Sequence, residues 1–241
     1  MKAVILAAGK GSRLKPLTDS LPKVMVPVCG KPVLEHHIEN LARAGITEIF
    51  VNLHHLPDVI TKHFGDGSRW GVHIDYSYEP DILGTAGAVR KLKRHLSADP
   101  FLVVYGDNFL EIDLPGFIRA AEANAGVGTV AVFEKADVSG SGILELSRDN
   151  QVLRFKEKPA LGEVFSHWVN AGLFHFRPGI FDFIPVGFSD FGIDVIPALI
   201  RKKGRLNAYQ LSGRVWALDD LGLLNELNLH LVNSSGTRGA P

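Results

Sequence analysis

The chain has 241 residues, 46% hydrophobic and 22% charged, with 26 basic side chains set against 26 acidic ones. That length supports one sizeable core, and a formal net charge of zero excludes a surface built to hold a polyanion, so no nucleic-acid partner is expected. A single cysteine, Cys29, excludes an internal disulfide, and the apolar run after Met1 is too short for a signal peptide or a membrane span, so the cytoplasm is the expected location.

Strand and helix patterns alternate through the first half. Lys2–Ala7 reads as a buried strand, followed by a glycine turn at Gly9 and Gly11. Pro32–Ala44 reads as a helix, with Pro32 near its start and Gly45 just past its end. Glu48–Leu53, Val72–Tyr78 and Phe101–Tyr105 read as strands, and Pro57–Phe64 and Thr85–Leu96 as the helices between them. This rhythm predicts βαβ units around a mostly parallel sheet covered on both faces. The second half changes character. Thr129–Glu134, Gly142–Leu146, Val152–Lys156 and Trp168–Phe176 are strand-like with few long helices between them, which suggests antiparallel additions. Helical pattern returns at Ile193–Lys203 and Leu221–Val232. The expected fold class is α/β: three α/β/α layers, a Rossmann-like, mostly parallel sheet and inserted antiparallel strands. One domain is expected over residues 1–232, with a disordered polar tail over 233–241.

The turn after the first strand carries the strongest chemical signal. Glycine lets backbone N–H groups approach a ligand, and successive N–H groups form an anion-binding concavity. Lys10, Arg13, Lys15 and Lys23 surround that turn, with Asp19 as the opposing charge nearby in sequence. Phosphate is the expected ligand. Two familiar phosphate loops are excluded by spacing: Leu14 stands where the dinucleotide fingerprint needs its third glycine, and where the P-loop needs its second. Leu14 thereby also argues against a nicotinamide-dependent dehydrogenase.

Asp107 ends the run Phe101-Leu-Val-Val-Tyr-Gly, at the carboxyl end of a strand, where ligands gather in open α/β sheets. A carboxylate there is a hard-oxygen ligand suited to Mg²⁺. The residue two beyond it is Phe109, so the Asp-x-Asp of a metal-dependent glycosyltransferase is absent. The pairs His36-His37 and His54-His55 place adjacent rings in different directions and read as structural or solvent-facing. Trp70, Trp168 and Trp216 read as packing residues.

Six segments then resemble, in order, the sugar-1-phosphate nucleotidyltransferases: Leu6-Ala-Ala-Gly-Lys-Gly-Ser-Arg-Leu-Lys-Pro-Leu-Thr18, the block from Leu21-Pro-Lys to Pro32-Val-Leu34, Leu83-Gly-Thr-Ala-Gly-Ala88, Tyr105-Gly-Asp107, Glu157-Lys-Pro159 and Asn170-Ala-Gly172. The resemblance implies transfer of a nucleoside monophosphate from an NTP to a sugar-1-phosphate with Mg²⁺, serving nucleotide-sugar and envelope-polysaccharide synthesis, and is compatible with a homodimer. It implies catalytic roles for Arg13, Lys23 and Asp107. Nucleotide contacts are implied at Leu6, Ala8, Gly9, Gly11, Glu79, Gly84 and Thr85, with Glu79 accepting from base donors or standing as a surface glutamate. Backbone N–H groups at Gly84 and Thr85 would read a base edge or ribose. Gly142, Glu157, Lys158 and Asn170 are implied for the sugar phosphate. The second metal carboxylate is expected in Trp216-Ala-Leu-Asp-Asp-Leu-Gly-Leu223; spacing to Gly222 favours Asp220 over Asp219, and the other of the pair caps the following helix. Leu223 departs from the threonine of the family pattern. Phe64–Gly71 and Tyr78–Gly87 look like the mannose-1-phosphate guanylyltransferases, whereas Leu6-Ala7-Ala8-Gly9 looks like the uridylyl type. A non-catalytic subunit that senses nucleotide sugars is the rival from another class.

Overall fold

The computed structural model describes residues 1–236. The first half follows the expected alternation: β1 (Lys2–Leu6), a small β2 (Pro27–Val28) and β3 (Lys31–Pro32) ribbon, α1 (Val33–Arg43), β4 (Glu48–Leu53), α2 (Pro57–Phe64), β5 (His73–Tyr78), α3 (Gly84–Lys91), α4 (Lys93–Leu96) and β6 (Phe101–Tyr105). The single helix expected over Thr85–Leu96 is two, because the chain leaves helical geometry at Leu92. Then come β7 (Asn108–Leu110), α5 (Leu114–Ala123), β8 (Gly128–Glu134), β9 (Gly142–Leu146), β10 (Val152–Glu157), β11 (Trp168–Phe176), α6 (Ile196–Arg201), β12 (Leu206–Gln210), β13 (Val215–Ala217) and α7 (Leu221–Gly236). The helix expected over Ile193–Lys203 opens as a wide turn at Phe191–Val195 before α6.

Among the described residues, nine strands form one sheet whose main path runs β10-β9-β11-β6-β1-β4-β5. β1 pairs in parallel with β4 on one side and β6 on the other, and β5 extends beyond β4. The chain therefore steps outward from β1 in one direction and returns to its other side at β6. Between β1 and β6 lies the topological switch point, where open α/β sheets leave a crevice at the carboxyl ends of the strands. Leu6 stands opposite Tyr105 in that register, and the Gly106 N–H donates to the Leu6 carbonyl at 2.9 Å. β11 runs antiparallel to β6 and β8, so the second half adds antiparallel strands as expected.

Side-chain alternation explains the layers. On β1, Ala3 and Ile5 face a cluster shared with Leu34, Ile38 and Phe117, while Val4 faces Phe101, Val89 and Leu199. Both faces are apolar, so both must be covered by helices. A third cluster joins Leu14, Val26, Val28, Phe109, Trp216, Leu218, Leu224 and Leu227. It packs α7 against the glycine turn and against the β7–β13 ribbon. Trp216 is buried there, and Trp70 packs on Phe64, in keeping with packing roles for the tryptophans. His37 is buried, and burial lowers its pKa to about 4, so its ring is neutral structure.

α7 reaches Gly236, four residues into the stretch expected as a tail; the remainder of that stretch, 237–241, lies outside the described residues. Its buried Leu224 and Leu227 belong to the third cluster, and Leu231 packs against it one turn further on. α5, β7, β12 and β13 have no counterpart among the sequence expectations. Among the described residues no helix is long and apolar enough to cross a membrane.

If α7 belongs to the fold in this way, Leu227→Ala costs about 2–5 kcal/mol of unfolding free energy, read from urea melts. A loss under about 1 kcal/mol would mean that α7 does not contribute to the cooperative core.

Candidate active site

The glycine turn follows β1 directly. Gly11 takes a left-handed backbone, φ +63°, and a Cβ there would lie 2.9 Å from Lys23 Cβ and 2.9 Å from Thr18 Cγ2. Only glycine lets the turn fold onto the Lys23 stem. The Thr18 hydroxyl fixes the turn by donating to the Gly11 carbonyl at 2.8 Å, and Leu14 anchors it in the third cluster. The hollow above the turn, about 180 Å³, is lined by Gly9, Gly11, Ser12, Arg13, Lys23, Asp107 and Asp219 among others. Of the four cations expected to serve it, Arg13 and Lys23 line it, whereas Lys15 is drawn aside to Asp19 at 3.0 Å. Lys10 is exposed at the turn and is not among the lining residues.

Lys23 is the junction of the site. Its ammonium donates to Asp107 Oδ2 at 2.6 Å and to Asp219 Oδ1 at 2.7 Å, and Arg13 Nη2 donates to the same Asp219 oxygen at 2.8 Å. Two distant segments meet here because β13 pairs antiparallel with β7, placing Ala217 opposite Asn108, while the Leu218 N–H donates to the Asp107 carbonyl at 3.1 Å. Asp219 is thus carried to the side of Asp107. Asp219, rather than the preferred Asp220, is the residue beside Lys23: Asp220 Oδ1 accepts the Leu223 N–H at 2.9 Å, capping α7 from the position before its first residue. The Leu223 departure falls at that cap.

Burial alone would lower the pKa of Lys23, but the two carboxylates outweigh it and the net shift is upward. Asp219 mirrors this: burial alone would raise its pKa, and Lys23, then Arg13, bring it below the usual carboxylate value of 3.8. Two carboxylates converging on one cation are a hard-oxygen pair of the kind Mg²⁺ takes, with substrate phosphates completing its shell. The ammonium already stands where positive charge is favoured, so the residues fit a divalent cation.

Two larger cavities open on either side, each of about 360 Å³. The first is lined by Leu6, Ala8, Gly9, Val24, Asn52, Glu79, Ile82, Gly84, Thr85, Tyr105 and Phe188, with Lys23, Asp107 and Asp190 at its edge. Glu79 is no surface glutamate: it is 0% exposed, accepting from Asn52 Nδ2 at 2.9 Å and the Leu83 N–H at 3.0 Å. Asn52 in turn accepts the Ala7 N–H at 2.6 Å. The expectation that the α3 N-terminus offers its N–H groups to a ligand is corrected at Thr85, whose N–H and hydroxyl both donate to Asp190 Oδ1, at 3.0 and 2.9 Å. The next two N–H groups, of Ala86 and Gly87, donate to the Ser189 carbonyl.

The second cavity gathers Gly142, Glu157, Lys158 and Asn170, all four residues expected for a sugar phosphate, with Arg13, Tyr105, Asn108, Asp190 and Ile193. Glu157 is half-buried, and burial raises its pKa against the opposing effect of Lys158. A Cβ on Gly142 would lie 2.7 Å from Glu157 Oε2, and one on Gly192 would lie 2.6 Å from it, so two glycines make room for this carboxylate. Lys158 is exposed at the rim.

Asp190, Asn52, Asn108 and Tyr105 escaped the sequence reading. Asn52 left a signal, a polar residue inside the apolar strand Glu48–Leu53. Asp190 left none beyond an acidic residue before a helix.

The nucleotidyl transferase family profile matches residues 2–229. A UTP–glucose-1-phosphate uridylyltransferase of Synechocystis is 36% identical over 83% of this chain and 55% of its own length. Mannose-1-phosphate guanyltransferase beta-A of Xenopus laevis is 33% identical over 88% of this chain and 59% of its own. The chain thus spans little more than half the length of these relatives. A solved Bacillus anthracis structure assigned as a glucose-1-phosphate thymidylyltransferase, in complex with a sucrose, superposes with a TM-score of 0.85 at 25% identity. It covers 95% of this chain and 94% of that one.

The pairing of Asp219 with Lys23 has a pH signature. Because folding lowers the Asp219 pKa below 3.8, its stabilisation is complete above that value and is lost as pH falls through the lower folded value. Asp219→Asn is therefore expected to melt at lower urea than the wild type at neutral pH, with the gap closing in strong acid. A wild-type–Asp219→Asn gap that stays constant into acid would mean that this carboxylate is not the one stabilised by Lys23.

Proposed function

The chain belongs to the nucleotidyl transferase family, and from that premise we propose that it transfers a nucleoside monophosphate from an NTP to a sugar-1-phosphate. The observation that carries the reading is Asp107, which lines all three adjoining cavities and lies beside Lys23. The reaction needs such a meeting point. A phosphate oxygen of the sugar-1-phosphate forms a bond to the α-phosphorus; the α–β phosphoanhydride bond breaks, and its electron pair leaves with pyrophosphate.

Nucleoside, sugar phosphate and leaving group then occupy the first cavity, the second cavity and the hollow over the glycine turn. Arg13 meets charge developing on pyrophosphate, a task suited to a planar, permanently charged fork. Lys23 turns its ammonium from the carboxylates to the α-phosphate oxygens. Phosphoryl transfer of this kind rests on positioning and charge neutralisation rather than on covalent help. Asp107 and Asp219 would hold Mg²⁺, which neutralises the triphosphate when bound. Glu157 and Asn170 accept from and orient sugar hydroxyls, and Lys158 at the rim attracts the sugar phosphate. Glu79 holds Asn52 and the loop to Leu83, shaping the base cavity.

GTP with mannose-1-phosphate is the first pair we assign. It is favoured by the mannose-1-phosphate guanyltransferase relative. UTP with glucose-1-phosphate or a hexosamine-1-phosphate is the second, favoured by the uridylyltransferase relative.

Pyrophosphate release with Mg²⁺, crossing GTP, UTP, dTTP, CTP and ATP against a panel of sugar-1-phosphates, tests the reading. One productive pair is the expected result. Silence across the panel, with nucleotide-sugar binding intact by thermal shift, would favour a sensing subunit. In the productive pair, Asp107→Asn is expected to lower turnover by about 10²- to 10³-fold, with folding retained by circular dichroism. Full turnover in a folded Asp107→Asn protein would remove this residue from the chemistry.

A further inference from the structure

The segment from Ile184 to Phe191 is stitched to α3 along its length, yet it leaves an aromatic ring in solvent. Arg90 Nη1 donates to the Ile184 carbonyl at 2.6 Å. The Ser189 N–H donates to the Leu83 carbonyl at 2.9 Å, and the Ser189 carbonyl accepts from Ala86 and Gly87 at 2.9 and 3.0 Å. Thr85 binds Asp190 and also accepts the Phe191 N–H at 2.9 Å. Ser189 is consequently buried, while its neighbour Phe188 is 65% exposed. A single exposed apolar side chain is ordinary on a protein surface. This one differs in two respects: its backbone is held from both sides, and it lines the first cavity together with the partly exposed Ile82.

We propose that Phe188 is the stacking wall for the nucleobase in that cavity. The inference rests on the nucleotidyltransferase reading and adds to it a residue outside every motif that led there. Lys23, Asp107 and Asp190 line the cavity where it adjoins the other two hollows, Glu79 is buried and held by Asn52 and Leu83, and Leu6, Ala8, Val24, Ile82 and Phe188 are among the remaining walls. A nucleotide matches that division, with an anionic end and a planar, weakly polar end. Aromatic rings stack on any base because every base presents a π-face. Phe188 therefore contributes to affinity for the nucleotide and leaves base choice to the polar groups of the cavity. The hydrogen bonds from Arg90 and α3 fix its backbone in place, so little loop ordering is required when a base arrives.

Binding of GTP, UTP, dTTP, CTP and ATP, each with Mg²⁺ and without sugar phosphate, measured by calorimetry on the full chain, tests the proposal. Phe188→Ala is expected to weaken whichever nucleotide the wild type binds by about tenfold or more, and Phe188→Trp to restore it. KM for the sugar-1-phosphate and the melting temperature are expected to stay at wild-type values, because the ring is exposed and lines the first cavity but not the second. Wild-type nucleotide affinity in Phe188→Ala would overturn the stacking role while leaving the transferase reading intact. So would wild-type affinity in Phe188→Leu, since apolar cover alone would then suffice. A wild type that binds none of the five nucleotides would overturn both readings together.

Discussion

A buried ammonium held between two carboxylates is the constraint on which the site depends. Lys23 is brought to Asp107 and Asp219 by three separate pieces of chain: the segment after the glycine turn, the end of β6 and the turn after β13. None of the three charges is comfortable alone in such a place, since removing a charge from water is costly unless an opposite charge compensates. Together they hold one another. The same arrangement keeps the two carboxylates convergent and holds Asp219 below the usual carboxylate value, as a site for a metal ion bearing substrate phosphates would need.

The rest of the molecule is organised to preserve that convergence. The parallel part of the sheet supplies the crevice, because β1 is flanked by β4 and β6 and the chain changes direction between them. The antiparallel strands close the second cavity with Glu157 and Asn170, while α3 and the loop to Asp190 close the first. The C-terminal ribbon and α7 would otherwise seem peripheral. They deliver Asp219 and bury Leu14 beneath the turn that holds Arg13, so stability and chemistry meet in the third apolar cluster.

The parallel half of this architecture was legible in the sequence because its signals are local. Glu48–Leu53 and Pro57–Phe64 end where the pattern of apolar residues and turn formers ends. β7, β12 and β13 were not legible, since strands of three to five residues owe their existence to a partner distant in sequence. β13, for instance, exists by pairing with β7. α5 was overlooked for a different reason: Pro115 and Gly116 near its start look like loop punctuation, although Pro in a first turn and the Asp113 cap are starting signals for a helix. Among site residues, Lys23, Arg13 and Asp107 were readable from residue type at a strand end. Asp190 was not, because its place between two cavities comes from hydrogen bonds to Thr85.

The choice between Asp219 and Asp220 marks the boundary between the two kinds of information. The sequence by itself determined that the sheet would be mostly parallel, and it pointed to a carboxylate after Trp216 and to the cation-rich Gly9–Arg13 turn as parts of a site. Composition, period and motif are properties of the chain read in order, and they suffice for such conclusions. Tertiary structure alone decided which carboxylate faces Lys23. Adjacent side chains leave the backbone in different directions, and the register of β13 on β7 turns Asp219 inward and leaves Asp220 to cap α7.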